Sequence, residues 1–138
     1  MKVTWTYDRG DHRDNHEVDV TEPAALETLL GEIHQAGEPV VITIFSDTTD
    51  DPDDLPPGLQ VGLGHPTHAF AVHIAGTGGY LTDPTATTPQ RGLHFDVGGV
   101  PTEYPAEHLR LRPETAIQIA ATFVRSDGAP PHVPETSK

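Results

Sequence analysis

The chain of 138 residues has no cysteine, which removes disulfide frameworks, thiolate metal sites, Cys nucleophiles and iron–sulfur ligation together. A single Met leaves little for thioether or copper chemistry. Basic residues are scarce: 8 Lys plus Arg stand against 21 Asp plus Glu, a net charge of −13. That charge repels phosphate backbones and anionic lipid surfaces, so neither nucleic acid nor membrane is expected as a direct partner. Long hydrophobic runs are missing too, the best being Pro39–Phe45, far short of the roughly 20 apolar residues of a membrane-spanning helix. The first eight residues alternate polar with apolar and meet charge before a secretory signal could form. The expectation is a soluble, cytoplasmic protein. Ser46, Ser126 and Ser137 are the only serines, and none stands in a Gly-x-Ser-x-Gly elbow.

What is present is short, well-punctuated patterning. Hydrophobic residues make up 35% of the chain, with 13 Gly and 14 Pro, a lean composition whose apolar segments are nevertheless regular enough to exclude wholesale disorder. Val3, Trp5 and Tyr7 fall at period two, and alternation resumes over His16–Val20. Residues 2–8 and 16–20 therefore read as a hairpin with a loop longer than a tight turn. Thr21 is placed to cap a helix with Glu22 and Pro23 in its first turn and a stripe of Leu26, Leu29, Leu30 and Ile33, ending at Gly37. Residues 39–45 are β-branched and apolar on both faces, as in a central strand. Further strands are expected at 59–63, 69–74, 92–97 and 100–104, and a second helix from Pro113 to about Arg125 carries Ala116, Ile119, Ala120 and Phe123 on one stripe. This order predicts an α+β fold, a mostly antiparallel β-sheet with two helices packed on one face. Residues 1–128 read as one domain and 129–138 as a flexible tail.

The candidate chemistry is thin. Nine histidines invite a metal reading, but His12 and His16 do not share a helical face and no His-Glu-x-x-His occurs. His65 and His68 flank a Pro-Thr turn, and a pocket built from them with His73 and His94 is the remaining route to a small metal- or ligand-binding protein. Gly62-Leu63-Gly64 imitates a dinucleotide fingerprint without its third Gly or its helix. Asp96 with Glu103 is one acid pair among many. The run Asp47-Thr48-Thr49-Asp50-Asp51-Pro52-Asp53-Asp54 lacks the ligand spacing and distal Glu of a calcium loop. It reads either as a solvated loop or as a surface that grips a basic protein partner, through Asp47, Asp50, Asp51, Asp53 and Asp54. No catalytic residue, cofactor or metal is expected.

The segment Phe95-Asp96-Val97-Gly98-Gly99-Val100-Pro101-Thr102-Glu103-Tyr104-Pro105, followed by Leu111-Arg112-Pro113-Glu114-Thr115-Ala116 and a helix through Phe123, resembles the C-terminal half of immunity protein family one from bacterial polymorphic toxin systems. Leu59–Pro66 and the initial hairpin and helix resemble the same family. Its best markers here are Gly98, Gly99 and Tyr104, with Pro113, Ala116 and Phe123 in the helix, and each also has a structural reading as turn, ring packing or helix start. Members often end in a Gly-x-x-Pro-x-x-Val-x-Trp segment, whereas this chain has Gly128–Pro134 and no terminal Trp. The resemblance implies a non-enzymatic antitoxin that binds a cognate toxin, commonly a nuclease or nucleic-acid deaminase. Enzymes that handle nucleic acid usually present a basic cleft, which an acidic loop can occupy, and the uncovered edges of an antiparallel sheet leave monomer and homodimer both open. The missing Trp leaves a second possibility, an adaptor or regulatory protein that kept the scaffold.

Overall fold

A computed structural model describes residues 1–45, 58–73, 80–83 and 86–126. The five aspartates of the acidic run and the chain beyond Ser126, including the expected tail, lie outside the described residues. The elements are β1 (Lys2–Asp8), β2 (Arg13–Asp19), α1 (Pro23–Gln35), β3 (Val40–Phe45), β4 (Gly58–Leu63), β5 (Phe70–His73), β6 (Leu93–Val97), β7 (Val100–Tyr104), a single 3₁₀ turn (Ala106–His108) and α2 (Pro113–Arg125). This is the expected α+β arrangement. The five strands β2-β1-β3-β4-β5 pair antiparallel in that order, and the β6–β7 hairpin joins through β3.

Register decides which side of each strand is buried. Val3 pairs with Ile44, Ile44 with Leu59, and Val61 with Ala71, so alternate residues of β1, β3, β4 and β5 share one face. That face meets the stripes of both helices, Leu26, Leu30 and Ile33 from α1 and Ala116, Ile119, Ala120 and Phe123 from α2, in one core. Complete burial of Leu26, Leu30, Ile119 and Phe123 contributes about 1.5–3 kcal/mol for each large side chain. The opposite face carries a second, smaller core of Val41, Phe70, Phe95 and Leu109, with Tyr80 and Tyr104 packed against it. Its cover is the β6–β7 hairpin. β1 and β3 pair only over Lys2–Thr4. β6 meets β3 farther along, through a parallel bridge of Val40 with Asp96. The Asp96 N–H donates to the Pro39 carbonyl at 3.0 Å, and its carboxylate accepts the Asp8 N–H at 3.0 Å.

Several boundaries differ from expectation by a residue or more. β2 begins at Arg13 rather than His16, because the Arg9 N–H reaches the His12 carbonyl at 3.0 Å and closes the loop in four residues. Thr21 is not the cap of α1: Glu22 holds that position with an extended backbone and no side-chain hydrogen bond, leaving Pro23 to start the helix by its fixed φ. The strand expected over 69–74 starts at Phe70, with Ala69 bridging Leu111, and residue 74 lies outside the described residues.

The turn from β6 to β7 is two glycines, Gly98 at φ +58° and Gly99 at φ +83°, the all-positive pair that suits the twist of a two-residue hairpin. The two differ in surroundings. A Cβ at Gly98 would meet open space, whereas one at Gly99 would lie 2.7 Å and 2.8 Å from Cγ and Cδ of Arg13, whose stem crosses the turn. Gly98→Asn is therefore expected to stay within about 0.5 kcal/mol of wild type and Gly99→Ala to lose about 1–2 kcal/mol, as read from urea unfolding midpoints.

Candidate functional site

The family markers all fall inside the scaffold. Pro113 opens α2 and is buried, Ala116 and Phe123 are fully buried in the helix-side core, and Tyr104 stacks on Phe70 with ring centroids 4.3 Å apart. Burial, reinforced by Tyr80, pushes the Tyr104 hydroxyl up to about 12. Gly62 lies in β4 opposite Phe70, and a Cβ there would run into the Phe70 ring. This glycine thus makes room for an aromatic ring rather than for a phosphate.

The histidines separate. His65 and His68 stay together, ring centroids 5.5 Å apart. His73 packs edge-on to Phe123 instead, and His94 stands exposed on β6 opposite Glu103. Among the described residues no group of three or more His, Asp or Glu side chains is placed to hold a metal ion. His65 is a turn-former: its Nδ1 accepts the N–H groups of Thr67 and His68, each at 3.2 Å. His34, which sequence reading did not single out, accepts the Gly64 N–H at 3.1 Å with its own Nδ1.

An open cleft of about 310 Å³ lies at the start of α2, lined by Pro66, Thr67, Ala86, Thr87, Arg112, Pro113 and Glu114. Its cation is already engaged, with Arg112 3.7 Å from the buried Asp83 and 3.8 Å from Glu114.

The feature that does not reduce to packing is charge. Residues 14–90 contain no Lys or Arg and 13 of the 21 acids, while the rest of the chain balances eight acids against eight bases. The whole net charge therefore belongs to one segment. Local pairs use the nearest cations: Lys2 meets Glu17 at 3.1 Å, and Arg9 bonds Glu38 at 2.6 Å and Asp14 at 3.4 Å while lying 4.6 Å from the Tyr7 ring centroid. His16 Nε2 sits 3.1 Å from Asp14 and, as its main partner, holds that carboxyl below the usual range. The His16 ring stacks on Trp5 at 5.0 Å. Asp19, Glu22, Glu27 and Glu32 are exposed. No ion pair to a described residue engages these four.

Register places Asp19, of these four, at one end of the sheet. Asp19, Lys2, Phe45 and Gly58 form one row across β2, β1, β3 and β4. The chain enters and leaves the acidic run at this row, and Glu22 follows three residues after Asp19. The run itself is outside the described residues. Its abundance of aspartate was legible in the sequence, as was the missing basic residue over 14–90, but that Asp19 shares a row with Phe45 and Gly58 required the register.

The family model described as Immunity protein Imm1 matches residues 14–137, a span that begins inside the β1–β2 hairpin and includes every marker named above. Comparison with curated proteins and with solved structures gives no significant match. No helix among the described residues is long and apolar enough to cross a membrane.

Burial, with His68 and His34 nearby, lowers the His65 pKa. Its neutral form is the one that accepts the turn hydrogen bonds, so the stabilisation is complete above the ordinary value near 6.5 and is lost as pH falls through the lowered one. Urea midpoints measured at pH 7, 6 and 5 are expected to fall with acidification. His65→Asn, which keeps a side-chain acceptor two residues before Thr67, should flatten that slope.

Proposed function

Since the chain belongs to the Imm1 family of immunity proteins, we propose that it neutralises a cognate toxin domain by stoichiometric binding, and that the toxin is a nuclease or nucleic-acid deaminase with a basic cleft. The supporting observation is the segregation of charge: a segment with 13 acids and no Lys or Arg is complementary to a surface built to attract a phosphate backbone. Inhibition of this kind asks no chemistry of the inhibitor. It requires only that acidic side chains occupy the cleft where nucleic acid would lie, on a scaffold rigid enough to keep the binding cost low.

Asp47, Asp50, Asp51, Asp53 and Asp54 are the proposed contact, with Asp19 and Glu22 extending the same field from the neighbouring end of the sheet. Association is then steered, with a rate that falls as salt rises. The test mixes the purified protein with the candidate toxin and follows both cleavage or deamination and association rate. Suppression at a 1:1 ratio is expected, with an association rate falling about tenfold or more between ~50 and ~500 mM salt. Changing the five aspartates to asparagine should slow association about tenfold and flatten its salt dependence. Unchanged kinetics would remove the five aspartates from the interface, and failure to bind any such toxin would overturn the reading as a whole.

A further inference from the structure

β2 is the terminal strand of the sheet, and no described strand covers its outer side. Which of its backbone groups are free follows from the hydrogen bonds at the two ends of the hairpin. Met1 and Val20 exchange both bonds, the Met1 amine donating to the Val20 carbonyl at 2.6 Å and the Val20 N–H to the Met1 carbonyl at 2.8 Å. At the other end the Arg9 N–H donates to the His12 carbonyl. In an antiparallel ladder, bonded and non-bonded pairs alternate. Asp14, His16 and Val18 therefore turn their backbone groups toward β1, while Arg13, Asn15, Glu17 and Asp19 turn theirs outward. The side chains of these same four residues all project on the face away from the helices, since their neighbours pair with Val3, Trp5 and Tyr7.

The outward set is self-complementary. Placing a second copy antiparallel about a two-fold axis through His16 sets Arg13 against the partner's Asp19, and Asn15 against the partner's Glu17, each pair twice. Every outward N–H and C=O then finds a partner over the full length of the strand. The side chains agree. Arg13 and Asp19 make no ion pair to a described residue of their own chain. Asn15 accepts the Thr6 hydroxyl at 2.9 Å through Oδ1, which leaves its amide hydrogens for a carboxylate. A shift of one residue would set outward groups against inward ones. Centring on Glu17 opposes two carboxylates, and centring on Asn15 shortens the overlap to Arg13–Glu17. We propose that the protein forms a symmetric homodimer by β2–β2 pairing centred on His16, making one continuous sheet across two copies. The net charge of −13 per chain opposes this at long range, but at ~0.15 M salt the screening length is about 8 Å, so the charges along the strand decide.

Sedimentation equilibrium of the full chain at ~0.15 M salt, from micromolar to several hundred micromolar, is expected to show a monomer–dimer equilibrium. Asp19→Arg and Arg13→Asp should each weaken it about tenfold, because two attractive pairs become repulsive. The double exchange should restore it to within about threefold. Asn15→Pro removes an outward N–H, a loss an edge strand tolerates, together with the exposed acceptor of the Thr6 hydroxyl, and should leave a folded monomer by circular dichroism. Amide exchange supplies the independent readout: protection of Arg13, Asn15, Glu17 and Asp19 should rise with concentration, while that of Asp14, His16 and Val18 stays constant. A monomer throughout the range overturns the proposal. So does a dimer in which the four outward amides exchange freely, or one indifferent to the charge exchange.

Discussion

The structure depends on β3 being covered on both faces. Val40, Ile42 and Ile44 point to the helices and Val41 to the smaller core, so a strand of six residues needs two unrelated covers. α1 and α2 supply one. The other comes from the β6–β7 hairpin, anchored by the Asp96 bonds to Pro39 and Asp8 where β1 and β3 no longer pair. A chain with 35% hydrophobic residues extends that second cover over only part of the sheet. The half-buried Thr4, Thr6, Thr43 and Gln60 line the remainder, where Gln60 donates to Thr43 at 3.4 Å and Thr6 to Asn15 at 2.9 Å.

The aromatic rings show how the smaller core is assembled. Phe70 lies over the missing side chain of Gly62, stacks on Tyr104, and meets Phe95 edge-on at 5.3 Å. Tyr80 stacks on His108 at 3.8 Å. Of the residues that carry the family resemblance, Tyr104 belongs to this interlock and Gly98 and Gly99 to the turn of its hairpin, while Ala116 and Phe123 pack in the helix-side core. The exposed positions that a partner would touch are left without such constraints.

Much of this was legible in the sequence. Period-two alternation located the strands, the i, i+3, i+4 stripes located both helices, and continuous apolarity marked β3 as central. The start of β2 was misplaced because Arg13-Asp14-Asn15 carries no apolar alternation: a strand at the sheet edge needs none. The Thr21 cap failed because propensity names good capping residues without fixing which backbone is extended. Weighing Gly62-Leu63-Gly64 only against a dinucleotide fingerprint, and setting it aside, left unseen that Gly62 makes room for a ring eight residues later. The candidate surface was half visible. Composition revealed the acids, but only strand register sets Asp19 beside the row from which the acidic run departs.

The confinement of all net charge to residues 14–90 has a consequence for where a cation is received. An even distribution of 13 excess negative charges would attract a cation from any direction and leave the approach to chance. In the fold, described acids of this segment lie at both ends of β1, with Asp14 and Glu38 beside Arg9 at one end and Asp19 opposite Lys2 at the other. The two ends differ in occupancy: Arg9 already pairs with the acids at the first, whereas Asp19 and Glu22 at the second make no ion pair to a described residue, so a cation drawn in from either side finds open carboxylates there.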